Sequence, residues 1–87
     1  MMNFENILNR TIVSLRNRQI YEPRLSLIVS KLEKLKILIE DKNQNITQNP
    51  IRGITRAYLD IFSDYENPIL KDLYFLDQEV EKKIRND

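Results

Sequence analysis

Apolar residues recur along this chain at spacings of three and four, the period of an amphipathic helix. The first stripe predicts a helix over about residues 3–18, with a core face of Phe4, Ile7, Leu8, Thr11, Ile12 and Leu15. The second predicts a helix over about 23–42, with a core face of Leu25, Ile28, Val29, Leu32, Leu35 and Ile39. Since Leu27, Ile37 and Leu38 widen the apolar arc, we expect this second helix to be the most enclosed.

Two Asn-Pro pairs predict the starts of two further helices. Asn is a preferred N-cap, and Pro suits the first helical position, where its missing N–H is not needed. Asn49-Pro50 predicts a helix over about 50–65, with a core face of Ile51, Ile54, Tyr58, Ile61, Phe62 and Tyr65. Asn67-Pro68 predicts a helix over about 68–85, with a core face of Ile69, Leu73, Leu76, Val80 and Ile84. Gly53 then falls in the first turn of the predicted third helix. Either a close backbone crossing or chance explains a glycine at this position.

The connections between these helices are short, which favours antiparallel neighbours. The pattern therefore predicts an all-α protein with an antiparallel up-down-up-down four-helix bundle. With 87 residues, the chain is expected to form one domain spanning 1–87.

The composition removes most catalytic chemistry. The chain has no Cys and no His, which excludes disulfides, thiolate nucleophiles, the usual zinc sites and the commonest general base. The carboxylate pair of Asp60 and Asp64 falls away from the apolar stripe and resembles a solvated surface. We therefore expect no enzyme, no catalytic residue, no cofactor, no metal and no small-molecule substrate. The start of the chain lacks a signal-peptide pattern, so a cytoplasmic location is expected.

Charge is divided unevenly along the chain. Residues 1–56 hold ten Lys/Arg and five Asp/Glu, whereas residues 57–87 hold four and eight. Such halves either attract one another within a bundle or present two faces to different partners. Nucleic-acid-binding domains typically have a pI above 9, whereas the pI of this chain is about 8.0. No nucleic acid is therefore expected as a partner.

From residue 22 to 85 the order of features resembles the pediocin-like (class IIa) bacteriocin immunity proteins of the enterocin A immunity family. The resemblance starts in the run Leu35-Lys36-Ile37-Leu38-Ile39-Glu40, followed by a polar segment. It continues through Asn49-Pro50-Ile51, an Arg-containing turn, and Tyr58-Leu59 with Phe62 and Tyr65. A last amphipathic helix with Leu73, Leu76, Val80 and Ile84 completes it.

The resemblance implies a four-helix bundle in the cytoplasm of a Gram-positive bacterium. Such proteins protect a producing cell from its own bacteriocin, and they are thought to engage the membrane component of the mannose phosphotransferase system once bacteriocin has bound it. Membrane association would then come through this partner.

Longer family members carry a C-terminal tail that contributes to specificity, whereas this sequence stops soon after Ile84. Specificity would then lie in helices three and four. Phe75 is predicted to point away from the core stripe, and Tyr74 flanks it. The hypothetical partner-binding surface is Arg52, Arg56, Asp60, Tyr74 and Phe75. The alternative is a small helical regulatory or antitoxin-like interaction module, less plausibly DNA-binding; in either case we expect a monomer or a weak dimer.

Overall fold

The computed structural model of the chain describes residues 3–41 and 46–85. These form four α-helices: α1 (Phe4–Gln19), α2 (Ser26–Glu40), α3 (Ile54–Phe62) and α4 (Ile69–Arg85). A short 3₁₀ turn, Pro23–Leu25, leads into α2. The prediction of an all-α protein is confirmed. None of the helices in the described ranges is long and apolar enough to cross a membrane.

Side-chain pairs show that α1 and α4 run antiparallel. At the start of α1, the Phe4 ring has the Lys83 Nζ atom 5.1 Å from its centre, near the end of α4. Further along α1, Arg10 Nη2 lies 2.9 Å from Asp72 Oδ1, near the start of α4. Since later residues of one helix meet earlier residues of the other, the two helices point in opposite directions.

The first two helices are antiparallel as well. Gln19 Nε2 at the end of α1 donates to Ser26 Oγ at the start of α2. Arg16, one turn earlier in α1, pairs with Glu33, two turns later in α2. Each helix packs against its neighbour in sequence, and α1 closes the ring by packing against α4. The predicted up-down-up-down four-helix bundle is therefore confirmed.

The apolar stripes meet inside this ring. Every helix contributes to one buried cluster: Ile7, Leu8, Ile12, Leu15, Leu25, Ile28, Val29, Leu32, Leu35, Ile51, Ile54, Tyr58, Ile69, Leu73, Leu76 and Val80. All of these belong to the stripes predicted from spacing. The Thr11 side chain is also buried, as its place on the first stripe predicts.

The second helix is not enclosed over the wide arc that we expected. Leu27 is 63% exposed and Ile37 is 66% exposed, although both are apolar. The ring gives α2 only two neighbouring helices, α1 and α3, so its outer surface stays in solvent. That interpretation of the wide arc was wrong. The helix is also shorter than the predicted 23–42: it begins at Ser26, after the 3₁₀ turn, and ends at Glu40, because Asp41 is extended. Residue 42 itself lies outside the described residues.

The third helix is shorter than the predicted 50–65. Asn49-Pro50 opens a turn rather than a helix, and α3 begins only at Ile54. Gly53 precedes it with φ +76°, a left-handed conformation that interrupts any helix begun at residue 50. No neighbouring atom lies within 4 Å of the position a Cβ would take, so a close backbone crossing does not explain this glycine.

The same helix ends early, at Phe62. Ser63 adopts φ 51°, a left-handed conformation, and its N–H donates to the Leu59 carbonyl. This left-handed residue caps the C-terminus of α3. Tyr65, predicted on the core face, therefore lies in the following turn and is 73% exposed. Its assignment to the core was wrong because helical spacing does not extend beyond the end of the helix.

Asn side chains cap the starts of α1 and α4, and the cap at Asn67 confirms the prediction from its Asn-Pro pair. Asn3 Oδ1 accepts from the Asn6 N–H at 3.1 Å, and α1 follows at once. Asn67 Oδ1 accepts from the Ile69 N–H at 2.9 Å, at the start of α4. In both cases a side-chain oxygen satisfies a backbone donor that lacks a partner within the helix.

Candidate interaction surface

Asn49 fastens the turn before α3 to the middle of α4. Its Oδ1 accepts from the Ile51 N–H at 2.9 Å, which shapes the turn. Its Nδ2 donates to Asp77 Oδ1 at 2.6 Å and to Glu81 Oε1 at 3.2 Å. The Asn49 side chain thus bonds a backbone N–H of its own turn and two side chains of α4. These bonds fix the α3–α4 hairpin at this end.

A second polar cluster fixes the other end of the hairpin and joins it to α1. Arg18 Nη1 donates to the Oη atom of the buried Tyr58 at 2.6 Å, and the guanidinium lies 4.2 Å from the centre of the Phe62 ring. Asn67 Nδ2 donates to the same Tyr58 Oη at 3.3 Å and to Asp64 Oδ2 at 2.9 Å. Residues from α1, α3 and the turn before α4 therefore meet at a single hydroxyl.

Three of the hypothetical surface residues lie along α3 and the turn that precedes it. Arg52 is exposed, and its Nε lies 3.5 Å from Glu81 Oε1 on α4. Arg56 and Asp60, one turn apart on α3, are both exposed. Within the described residues, neither of these two side chains makes an ion pair or a hydrogen bond.

The two aromatic candidates on α4 have different surroundings. Tyr74 is 60% exposed, which agrees with its place in the hypothetical surface. Phe75 is partly buried and packs against the core cluster, so its assignment to an exposed patch was wrong. Phe75 lies about 60° around α4 from Asp72, the residue that pairs with Arg10 on α1. Phe75 therefore lies on the side of α4 that faces α1.

The hairpin brings Arg52 to the side of α4 that carries Tyr74. Tyr74 and Glu81 are two turns apart and about 20° from each other around the helix. The Arg52–Glu81 contact places the guanidinium on that same side. Four of the five hypothetical residues thus remain on the surface of the α3–α4 hairpin, and the fifth, Phe75, lies toward α1.

The structure also explains part of the charge asymmetry along the sequence. Two ion pairs connect the basic first part to the acidic second part: Arg10 with Asp72, and Arg52 with Glu81. Attraction between the two parts, one of the two alternatives left open by the sequence, occurs at these two contacts. Arg56 and Asp60 carry opposite charges, so this part of the hairpin presents a mixed polar surface.

A pronounced pKa shift lies away from this surface, in the turn between α1 and α2. Glu22 accepts from the backbone N–H, the Nε and the Nη2 of Arg24. These bonds hold the pKa of the Glu22 carboxyl at about 2 and raise the pKa of Arg24. They stabilise the turn rather than tune a reacting group. In the part of the chain that is described, no group of three or more carboxylates is placed to hold a metal ion.

Sequence reasoning missed an exposed apolar group in the turn between α1 and α2. Ile20 and Tyr21 point into solvent there. Neither belongs to an apolar stripe, so the only signal in the sequence was their position between the predicted helices. They lie away from the hypothetical surface on the α3–α4 hairpin. Tyr21 is therefore a useful control for Tyr74.

Comparison of the chain with models of known protein families, with curated proteins and with solved structures finds no match.

Proposed function

We propose that this chain is an immunity protein that protects a bacteriocin-producing cell from a pediocin-like bacteriocin. It would act from the cytoplasmic side by recognising a membrane receptor, a component of the mannose phosphotransferase system, to which the bacteriocin has bound. The sequence resemblance suggests this function, and the antiparallel four-helix bundle agrees with the fold that the resemblance implies. The observation that carries the proposal is the exposed set of Arg56, Asp60 and Tyr74 on the α3–α4 hairpin.

This set suits recognition of a protein for a physical reason. Arg and Tyr often dominate the binding energy of interfaces, since each combines a large contact area with hydrogen-bonding groups. Arg56 and Asp60 would lose no internal bond on binding, because neither has one among the described residues. Asn49 and Tyr58 hold the hairpin at its two ends, so little backbone conformational entropy remains to be lost when a partner docks.

Expression of the chain in a sensitive lactic acid bacterium tests the proposal directly. Cells that carry the chain should tolerate more of at least one bacteriocin in a panel of class IIa bacteriocins than cells with an empty vector. Equal sensitivity to every bacteriocin in the panel would refute the immunity function.

Variants then test the surface. Tyr74→Ala and Arg56→Ala should each reduce protection, whereas Tyr21→Ala should leave it unchanged, since Tyr21 is an exposed tyrosine in the turn between α1 and α2, away from the hairpin. Circular dichroism and thermal melting of the purified variants would show that each remains folded. Protection equal to that of the parent by both Tyr74→Ala and Arg56→Ala would show that the hairpin is the wrong surface.

A second candidate is a helical regulatory or antitoxin-like interaction module. The exposed aliphatic side chains of Leu27 and Ile37 on α2 favour it, because they are available to a protein partner. A salt-dependent shift of random duplex DNA would favour the DNA-binding version, since phosphate contacts release counterions. Protection from a bacteriocin without any DNA shift would favour immunity.

A further inference from the structure

A groove between α1 and α2 exposes aliphatic side chains outside the core. Its volume is about 310 Å³, and its residues all belong to the two helices. Val13 from α1 is 57% exposed and Ile37 from α2 is 66% exposed, with the buried Ile12 at the base. We call these two exposed aliphatic side chains, which line the groove from its two helices, the apolar strip.

The charges around this groove are balanced. Arg16 Nη2 and Glu33 Oε2 pair across it at 2.8 Å. Lys36 and Glu40 also line it, one turn apart on α2. Neither of these two has an ion-pair partner within the described residues. The groove therefore offers one available positive charge and one available negative charge next to an apolar strip.

A second copy of the same chain complements this pattern. If two copies of α2 pack antiparallel about a two-fold axis near residue 38, Lys36 of each copy faces Glu40 of the other. Ile37 then lies close to the axis, against the apolar strip of the second copy. A two-fold interface requires this kind of self-complementarity, because the same surface serves both subunits. We infer that the chain forms a homodimer through the α1–α2 groove.

Charge argues against other occupants of the groove. Its four charged side chains sum to zero, so the groove does not attract anionic lipid or nucleic acid. The opposite side of α2 is a poorer dimer surface. There Leu27 and Leu38 alternate with Lys31 and Lys34 at helical spacing, and a second copy would bring like charges together.

The bundle measures 38 Å in length and 22–23 Å in width, and the groove lies between two of its four helices. The α1–α2 side is across the ring from α3 and α4, so the dimer leaves the hairpin surface accessible. The inference does not rest on the proposed function.

Sedimentation equilibrium of the full chain at increasing concentration tests the dimer. The average mass should rise from the monomer value of 10.5 kDa toward twice that value. Ile37→Glu should raise the dissociation constant at least about tenfold, because it places a charge near the axis in both copies. Leu27→Glu is the matched control, since Leu27 is equally exposed on the other side of α2, and it should leave the constant unchanged.

A charge exchange gives the sharpest test of the geometry. Lys36→Glu alone should weaken the dimer about tenfold, because carboxylates then face each other across the axis. Adding Glu40→Lys in the same chain should restore dimerisation, since the exchanged pair is again complementary. Circular dichroism would confirm that each variant is folded.

Several results would overturn the inference. A monomer at every concentration would exclude the dimer. If Leu27→Glu weakened the dimer as much as Ile37→Glu, this interface would be excluded. The same holds if the charge-exchanged variant did not recover dimerisation. Flotation of the monomer with zwitterionic or anionic vesicles, abolished by Ile37→Glu, would show that lipid occupies the groove instead.

Discussion

Arg18 is expected to stabilise the bundle more than any other cation on α1. It lies at the end of α1, yet its guanidinium contacts two residues of α3: it donates to Tyr58 Oη at 2.6 Å and lies over the Phe62 ring at 4.2 Å. We choose Arg18→Met as the perturbation. Met keeps most of the apolar stem and removes the charge and the donors.

The magnitude follows from the two contacts. A hydrogen bond with one charged partner contributes about 1.5–3 kcal/mol, and this one is partly buried. A cation over an aromatic ring adds about 0.5–1 kcal/mol. We therefore expect Arg18→Met to lower the free energy of unfolding by about 2–4 kcal/mol. For a domain of this size that corresponds to a melting temperature lower by roughly 10–30 °C.

Urea unfolding followed by circular dichroism measures this loss. Arg16→Met is the matched control, one half-turn away, because Arg16 pairs with Glu33 in an exposed position. An exposed ion pair contributes about 0–1 kcal/mol, so the control should change stability little. A double-mutant cycle with Tyr58→Phe should give a coupling energy of about 1–2 kcal/mol between Arg18 and Tyr58.

Two results would refute this reasoning. The first is equal stability of the Arg18→Met and Arg16→Met variants. The second is additive effects of Arg18→Met and Tyr58→Phe, since additive effects would mean that the 2.6 Å hydrogen bond does not contribute to stability.

Four further predictions concern the fold. Leu32→Asp should lower the free energy of unfolding by about 4 kcal/mol or more, because Leu32 is fully buried and the carboxylate would have no partner; a parent-like urea midpoint would contradict this. Gly53→Ala should cost about 1–2 kcal/mol in the same assay because of its positive φ, and Gly53→Asn should cost less, since Asn tolerates this conformation better. Thr11→Val should stabilise the chain by about 1 kcal/mol, because the buried Oγ1 has no hydrogen-bond partner among the described residues; a loss of stability would indicate that the hydroxyl is bonded. The Glu22 carboxyl has its pKa lowered to about 2, so its contribution to stability is present above pH 4.5, its ordinary pKa, and is lost as the pH falls toward 2. The difference in stability between the parent and Glu22→Gln should therefore shrink over that range, and a constant difference would contradict the assignment.

The sequence alone determined the class of fold and nearly all of the core. Spacing of apolar residues fixes the direction of a side chain around its own helix, and every member of the buried cluster lies on a predicted stripe. The caps at Asn3 and Asn67 also followed from local chemistry, since each oxygen bonds a backbone N–H within three residues. These features depend on contacts that are close in sequence.

The tertiary structure decided which off-stripe residues are buried. Ile37 and Phe75 both fall outside their stripes, yet Ile37 is exposed and Phe75 packs against the core. The difference depends on which neighbouring helix lies beside each residue, and spacing along one helix carries no information about that. Only the fold brings Arg18 to Tyr58, 40 residues further along the chain. Gly53 is intermediate, because its conformational freedom is visible in the sequence, whereas the positive φ that it adopts before α3 is seen only in the structure.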